Sequence, residues 1–211
     1  MTTSKSQEQF IHLYNRAGFG LSPKELTQKS NKSIQQEVEK LIQKAKRNPT
    51  LLDNDLALFD KKQSMQSMMS NKENAQIHRK IARRKAETIN VNWVNSMVTS
   101  DNPLLERMSL FWHGHFACRM KKPSLVINYM NAIRQNALGN FKDLLLAVSK
   151  TPAMIKYLNN QQNRKQKPNE NFAREVMELF TIGRGNYTEN DIKEAARAFT
   201  GWAFFFVSNG K

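Results

Sequence analysis

The sequence predicts an all-α protein, and three observations carry that reading. Glycine and proline are sparse, eight and six in 211 residues, which favours long helices over turn-rich β structure. Helix-start signals recur down the chain. Strand-like alternation is missing until AFFFV (203–207). The expected architecture is one multi-helix domain of about eight or nine helices spanning residues 1–211.

Gln7 to Ala17 reads as a short amphipathic helix closed by AGFG (17–20), whose glycines permit unusual backbone angles. Ser22-Pro23-Lys24-Glu25 combines a cap, a proline at the first helical position and a glutamate three residues after the cap. Ser33-Ile34-Gln35-Gln36 is another capping box. It opens a helix with Ile34, Val38, Leu41, Ile42 and Ala45 on one face, ending before Pro49. Residues 64–100 hold no Gly or Pro, and Ile77, Ile81, Ile89, Trp93 and Met97 fall at spacings of four or eight. One long helix, or two in line, is expected there. The methionines around it (Met65, Met68, Met69) read as flexible core filler.

Asn102-Pro103 starts the next helix, which runs into FWHGHF (111–116) with Leu104, Met108, Phe111, Trp112 and His115 as its apolar stripe. Phe111 and Trp112 are expected core anchors. Ser124 to Leu138 forms a further helix, Asn140 caps another carrying Leu144, Leu145 and Val148, and Thr151-Pro152 begins a fourth. NNQQNRKQKPN (159–169) lacks apolar residues and reads as an exposed loop. A helix from about Glu170 to Ile182 follows, with Phe172, Val176, Leu179 and Phe180 inward. Thr188-Glu189-Asn190-Asp191 caps the last helix, with Ile192, Ala195, Ala196 and Phe199 inward.

The net charge is +15, which invites a nucleic-acid or other polyanion partner. The excess is spread evenly between the two halves, with local clusters at HRKIARRK (78–85), CRMKK (118–122) and NRKQK (163–167). Two readings stand: a solvated basic surface, or a surface for polyanions or acidic membranes. The single Cys118 excludes an intrachain disulfide. The start, MTTSKSQEQFIHLY, lacks the apolar run of a signal peptide, and WAFFFV (202–207) is too short to span a bilayer. A cytoplasmic location is the default expectation.

HLYNRAGFGLSPKEL (12–26), ERMSLFWHGHF (106–116), ALGNFKDLLLAVSKTPAMIKYLNN (137–160) and NENFAREVMELFTIGRGNYTENDIKEAARAFTGW (169–202) together resemble, in that order, the bacterial family catalogued as domain of unknown function 1800. The resemblance covers nearly the whole chain and is most specific over 106–202. It implies no established activity. It also implies a longer chain continuing past TGW, so that residues 1–211 form the N-terminal part of a longer fold and pack against a C-terminal half. Relatives that carry export signals qualify the cytoplasmic expectation.

Two stretches offer chemistry. In a helix, His113 and His115 lie about 200° apart, unlike the i, i+4 histidines of a helical zinc site. Both are candidates for a functional site and equally for packing, and they are not expected to chelate one metal jointly. In NENFAREVMELF (169–180), Glu175 and Glu178 share a face with Asn171, while Arg174 can reach Glu170 or Glu178. Such carboxylates can bind a divalent metal in a bundle, or form ion pairs. The leading expectation is a hydrolase-like or small-ligand site between these helices, built from His113 or His115 with Arg174, Glu175 and Glu178. Metal assistance is open, and no cofactor is identified. The alternatives are a basic helical module for polyanions, and a structural or partner-binding domain. Cys118 lies beside Arg119, Lys121 and Lys122, which can lower a thiol pKa; it reads otherwise as an incidental thiol. Glu194 is placed to pair with Arg197.

Overall fold

A computed structural model describes residues 4–47, 49–52 and 72–204. Its ten α-helices confirm the all-α expectation, and no strand occurs among the described residues. In chain order they are α1 (Lys5–Ala17), α2 (Pro23–Lys29), α3 (Ile34–Arg47), α4 (Lys72–Thr99), α5 (Pro103–His115), α6 (Pro123–Asn136), α7 (Phe141–Ser149), α8 (Pro152–Tyr157), α9 (Asn171–Glu175) and α10 (Glu189–Ala198). A 3₁₀ turn, Asn160–Gln162, follows α8, and α9 continues directly into a π-helical segment, Val176–Thr181. The expected helix over 64–71 and the apolar segment 205–207 lie outside the described residues.

Local chemistry sets five of the ten described helix starts. Ser4 with Gln7, Ser22 with Glu25 and Thr188 with Asp191 form reciprocal capping boxes at α1, α2 and α10. Asn140 and Thr151 accept from the backbone N–H three residues on, at α7 and α8. Each such bond satisfies a donor that the helix itself leaves without a partner.

The main core gathers Ile89 and Trp93 of α4, Phe116, and Leu125, Ile127, Tyr129, Met130 and Ile133 of α6. Leu144, Val148, Ala153, Met154, Leu158, Phe172, Val176 and Phe180 complete it. A second cluster joins Phe10, Tyr14 and Leu41 where α1 meets α3.

Four apolar expectations are corrected. Phe111 is 59% exposed, because the buried stripe of α5 runs through Leu105, Ser109 and Phe116, roughly 140° around the helix from Phe111. Trp112 lies between, half-buried, with its indole N–H donating to the Ala137 carbonyl at 2.9 Å. Leu179 is exposed because the π segment shifts the register of α9, keeping Val176 and Phe180 inward. Ile42 on α3 and Ile77 on α4 are exposed too; among the described side chains of α4 the buried ones are Ile89 and Trp93, further along the helix.

The loop after α8 is not uniformly exposed. Asn160 and Asn163 are fully or almost fully buried. Asn163 donates to the Ala196 carbonyl at 2.7 Å, and Asn160 to those of Phe199 and Trp202 at 3.3 Å. They satisfy carbonyls at and beyond the end of α10, a role that composition alone does not signal.

Among the described residues, one ion pair has both partners almost completely buried. Arg134 and Glu106 form two parallel hydrogen bonds, each 2.6 Å, with side chains 2% and 1% exposed. Arg134 Nε also donates to the Thr50 carbonyl at 2.6 Å. Asn131, three residues earlier, makes reciprocal bonds with the Leu52 backbone. Two polar residues of α6 thereby dock the segment 49–52.

Candidate functional site

The turn that ends α5 sends its two histidines to different neighbours. The His113 ring packs edge-on against Trp93, with centroids 5.1 Å apart, and against Tyr129 at 5.8 Å. Burial there lowers its pKa from the ordinary histidine value, so the neutral imidazole is favoured. His115 sits among Trp112, Phe116, Phe141 and Phe180. Its Nε2 lies 3.0 Å from the Phe180 carbonyl oxygen, which makes this nitrogen the donor. Gly114 does not break the helix, which continues through His115.

The polar face of α9 is organised around ion pairs. Arg174 bridges Glu189 at 2.7 Å and Glu170 at 3.1 Å. Its pKa rises through the hydrogen bond to Glu189 first, with the charge of Glu189 and the bond and charge of Glu170 adding to it, against the opposing effect of desolvation. Glu178 accepts from the Tyr187 hydroxyl at 2.7 Å and pairs with Arg184. These two bonds, Tyr187 first, hold its pKa below the usual carboxylate value. Arg174 pairs with Glu170 and Glu189 rather than with Glu178. Asn171 donates to the Leu158 carbonyl.

The structure therefore brings His115 to the 170–181 segment through a backbone carbonyl. It places Arg174 and Glu178 in the ion pairs on that segment's polar face, and His113 against α4 and α6. Among the described residues, no group of three or more His, Cys, Asp or Glu side chains is placed to hold a metal ion. Cys118 is half-buried, and desolvation pushes its thiol up to about 11, the opposite of the lowering its sequence neighbours suggested. The expected Arg197–Glu194 pair forms at 2.9 Å.

Sequence reading missed a basic concavity. Lys40, Lys44 and Arg47 follow one another at i, i+4 and i+7 on α3 and line a groove of about 480 Å³ with Thr50, Asp101 and Asn102. Their helical spacing was the available signal; the opposing wall, from the α4–α5 corner, is distant in sequence.

The three basic clusters noted in the sequence fall on α4, on the α5–α6 connection and on the loop before α9. Arg79, Lys80, Arg83 and Arg84 are exposed on α4, as are Arg119 and Lys121, and Arg164, Lys165 and Lys167. No described helix is long and apolar enough to cross a membrane.

No curated protein and no solved structure shows significant similarity to the chain. The family model described as protein of unknown function (DUF1800) matches residues 12–209. With that match spanning nearly its whole length, the chain belongs to the DUF1800 family.

Proposed function

We propose that this chain is a helical module that binds nucleic acid or another polyanion. The observation that carries the reading is the cationic row on α4. Arg79, Lys80, Arg83 and Arg84 are all exposed within two turns, and at 100° per residue they cover an arc of roughly 140°. One acidic neighbour, Glu87, pairs with Arg83 at 3.0 Å. Such a surface gains affinity by releasing the counterions condensed on a polyanion.

A hydrolase-like site between α5 and α9 has less support. Glu178 is engaged by Arg184 and Tyr187, Arg174 by Glu170 and Glu189, and His113 packs edge-on against Trp93 instead of facing them.

Fluorescence anisotropy with a labelled DNA duplex, at about 50 mM salt, tests the proposal. The native protein is expected to bind, and Arg79→Glu with Arg84→Glu to weaken binding by about tenfold or more. Unchanged binding by that variant would remove α4 from the interface.

A further inference from the structure

We infer that the cavity enclosed by α1, α2, α3 and the α4–α5 corner is a binding site for a small zwitterion of the α-amino acid class. The site does not depend on the cationic row of α4.

Its centre is a buried carboxylate. Glu37, in the first turn of α3, is 4% exposed. It lines this cavity of about 240 Å³ together with Tyr14 of α1, which is 5% exposed. The Tyr14 hydroxyl donates to Glu37 Oε1 at 2.5 Å, and the Lys29 ammonium of α2 donates to the same oxygen at 2.6 Å. Burial alone would push this carboxyl up. The bonds from Lys29 and Tyr14 prevail and hold its pKa below the usual carboxylate range, so it is ionised at neutral pH. Both bonds fall on Oε1. Among the described residues nothing donates to Oε2, and that oxygen is not sealed from solvent. An ionised carboxylate has acceptor sites on both oxygens, so half of this one stands open on a residue that lines the cavity.

The opposite sign lies three residues on. Lys40 lines the same cavity, is exposed and has no acidic partner among the described residues. Side chains three apart on a helix are neighbours, with Cβ atoms about 5–6 Å apart, so one molecule of amino-acid length reaches both. The other charged groups of the wall are already committed. Lys44 pairs with Asp101 at 2.5 Å, and Glu25 accepts from the Ser22 backbone N–H at 2.9 Å in the α2 capping box. With Lys29 on Glu37, three lysines and three carboxylates line the cavity. A guest of one sign therefore finds no net attraction there. A guest with both signs does, its ammonium donating to Glu37 Oε2 and its carboxylate accepting from Lys40. Size limits that guest, because the cavity is smaller than drug-sized sites. Leu41 and Pro103 add an apolar wall for a short side chain.

Protein-observed NMR titration at low salt and neutral pH, with L-alanine, propionate and ethylamine, tests the site. Propionate lacks the ammonium and ethylamine lacks the carboxylate. L-Alanine is expected to shift the amide signals around Glu37 and Lys40. It should bind at least about tenfold tighter than either analogue, the margin of one charge-assisted hydrogen bond. Glu37→Gln should remove most of its advantage over propionate, and Lys40→Gln most of its advantage over ethylamine. The same spectra show whether each variant is folded. Lys40, being exposed, decides the matter alone if Glu37→Gln unfolds. Absence of alanine binding would overturn the inference. So would either analogue binding as tightly as alanine, which would reduce the site to a single charge. An advantage over ethylamine that survives Lys40→Gln would overturn it as well.

Discussion

His115 Nε2 donates to the carbonyl oxygen of Phe180 across 3.0 Å, tying the end of α5 to the π-helical segment that follows α9. Phe180 stands in the last turn of that segment, where carbonyls lack partners within the helix. The imidazole thus acts as a cap supplied by a neighbouring helix, and aromatic rings surround it.

Removing that donor should cost stability. His115→Ala is expected to destabilise the fold by ~1–3 kcal/mol through the unsatisfied carbonyl and the lost ring contacts. His115→Gln, which can present an N–H at a similar reach, should recover part of the loss. Urea denaturation of the three proteins measures this. Equal midpoints for the native and Ala proteins would show that the bond contributes nothing.

Glu106 and Arg134 make a sharper case, since both are almost completely buried. Removing one partner strands the other charge, so Glu106→Ala should destabilise by ~3–5 kcal/mol. Adding Arg134→Met to that variant should restore part of the stability, because no charge is then left unpaired. A double variant as unstable as the sum of the singles would mean that the two charges are not coupled.

His113 predicts a pH dependence. Burial lowers its folded-state pKa below the ordinary value near 6.5, so the unfolded chain binds the proton more readily. This stability is present in full above the unfolded pKa and is lost as pH falls through the depressed folded pKa. The melting temperature should therefore drop as pH falls below about 6.5. In His113→Phe the drop should be smaller. An NMR titration placing the His113 pKa at or above 6.5 would contradict the assignment.

Cys118 should be an unreactive thiol. Desolvation pushes its pKa up to about 11, so at pH 8 the thiolate is on the order of 0.1% of the total. Reaction with a disulfide reagent is expected to be slow in the native state and to accelerate many-fold in denaturant. Rapid labelling of the folded protein would show that its neighbouring cations prevail.

The helix starts were legible because their chemistry is local. Ser22 and Glu25 need only three residues of sequence to declare a boundary, as do Thr188 and Asp191. The partner of Glu106 was not legible, because Arg134 lies 28 residues away on another helix. Asn160 and Asn163 sit in a polar run whose composition resembles solvent-exposed loop, and only the arrival of the end of α10 makes their burial favourable. Phe111 and Leu179 show two limits of helical periodicity. Phe111 lies well away from the buried stripe of α5, whose centre is set by the facing helices, and Leu179 lies where the π segment changes the period itself. The candidate site fared similarly. The separation of His113 from His115 follows from helical geometry, while the partners of Arg174 and Glu178 depend on where Tyr187 and Glu189 return to α9.

The most direct test of the polyanion reading is the salt dependence of duplex DNA binding, measured for the native protein and for a variant with Arg79, Lys80, Arg83 and Arg84 all replaced by Gln. Each phosphate contact contributes about −0.9 to the slope of log affinity against log salt. If all four side chains meet the backbone, the native slope should be steeper than the variant's by about 3.6, and the variant should bind more weakly at every salt concentration. Equal slopes for the two proteins, or no binding by the native protein at low salt, would contradict the account.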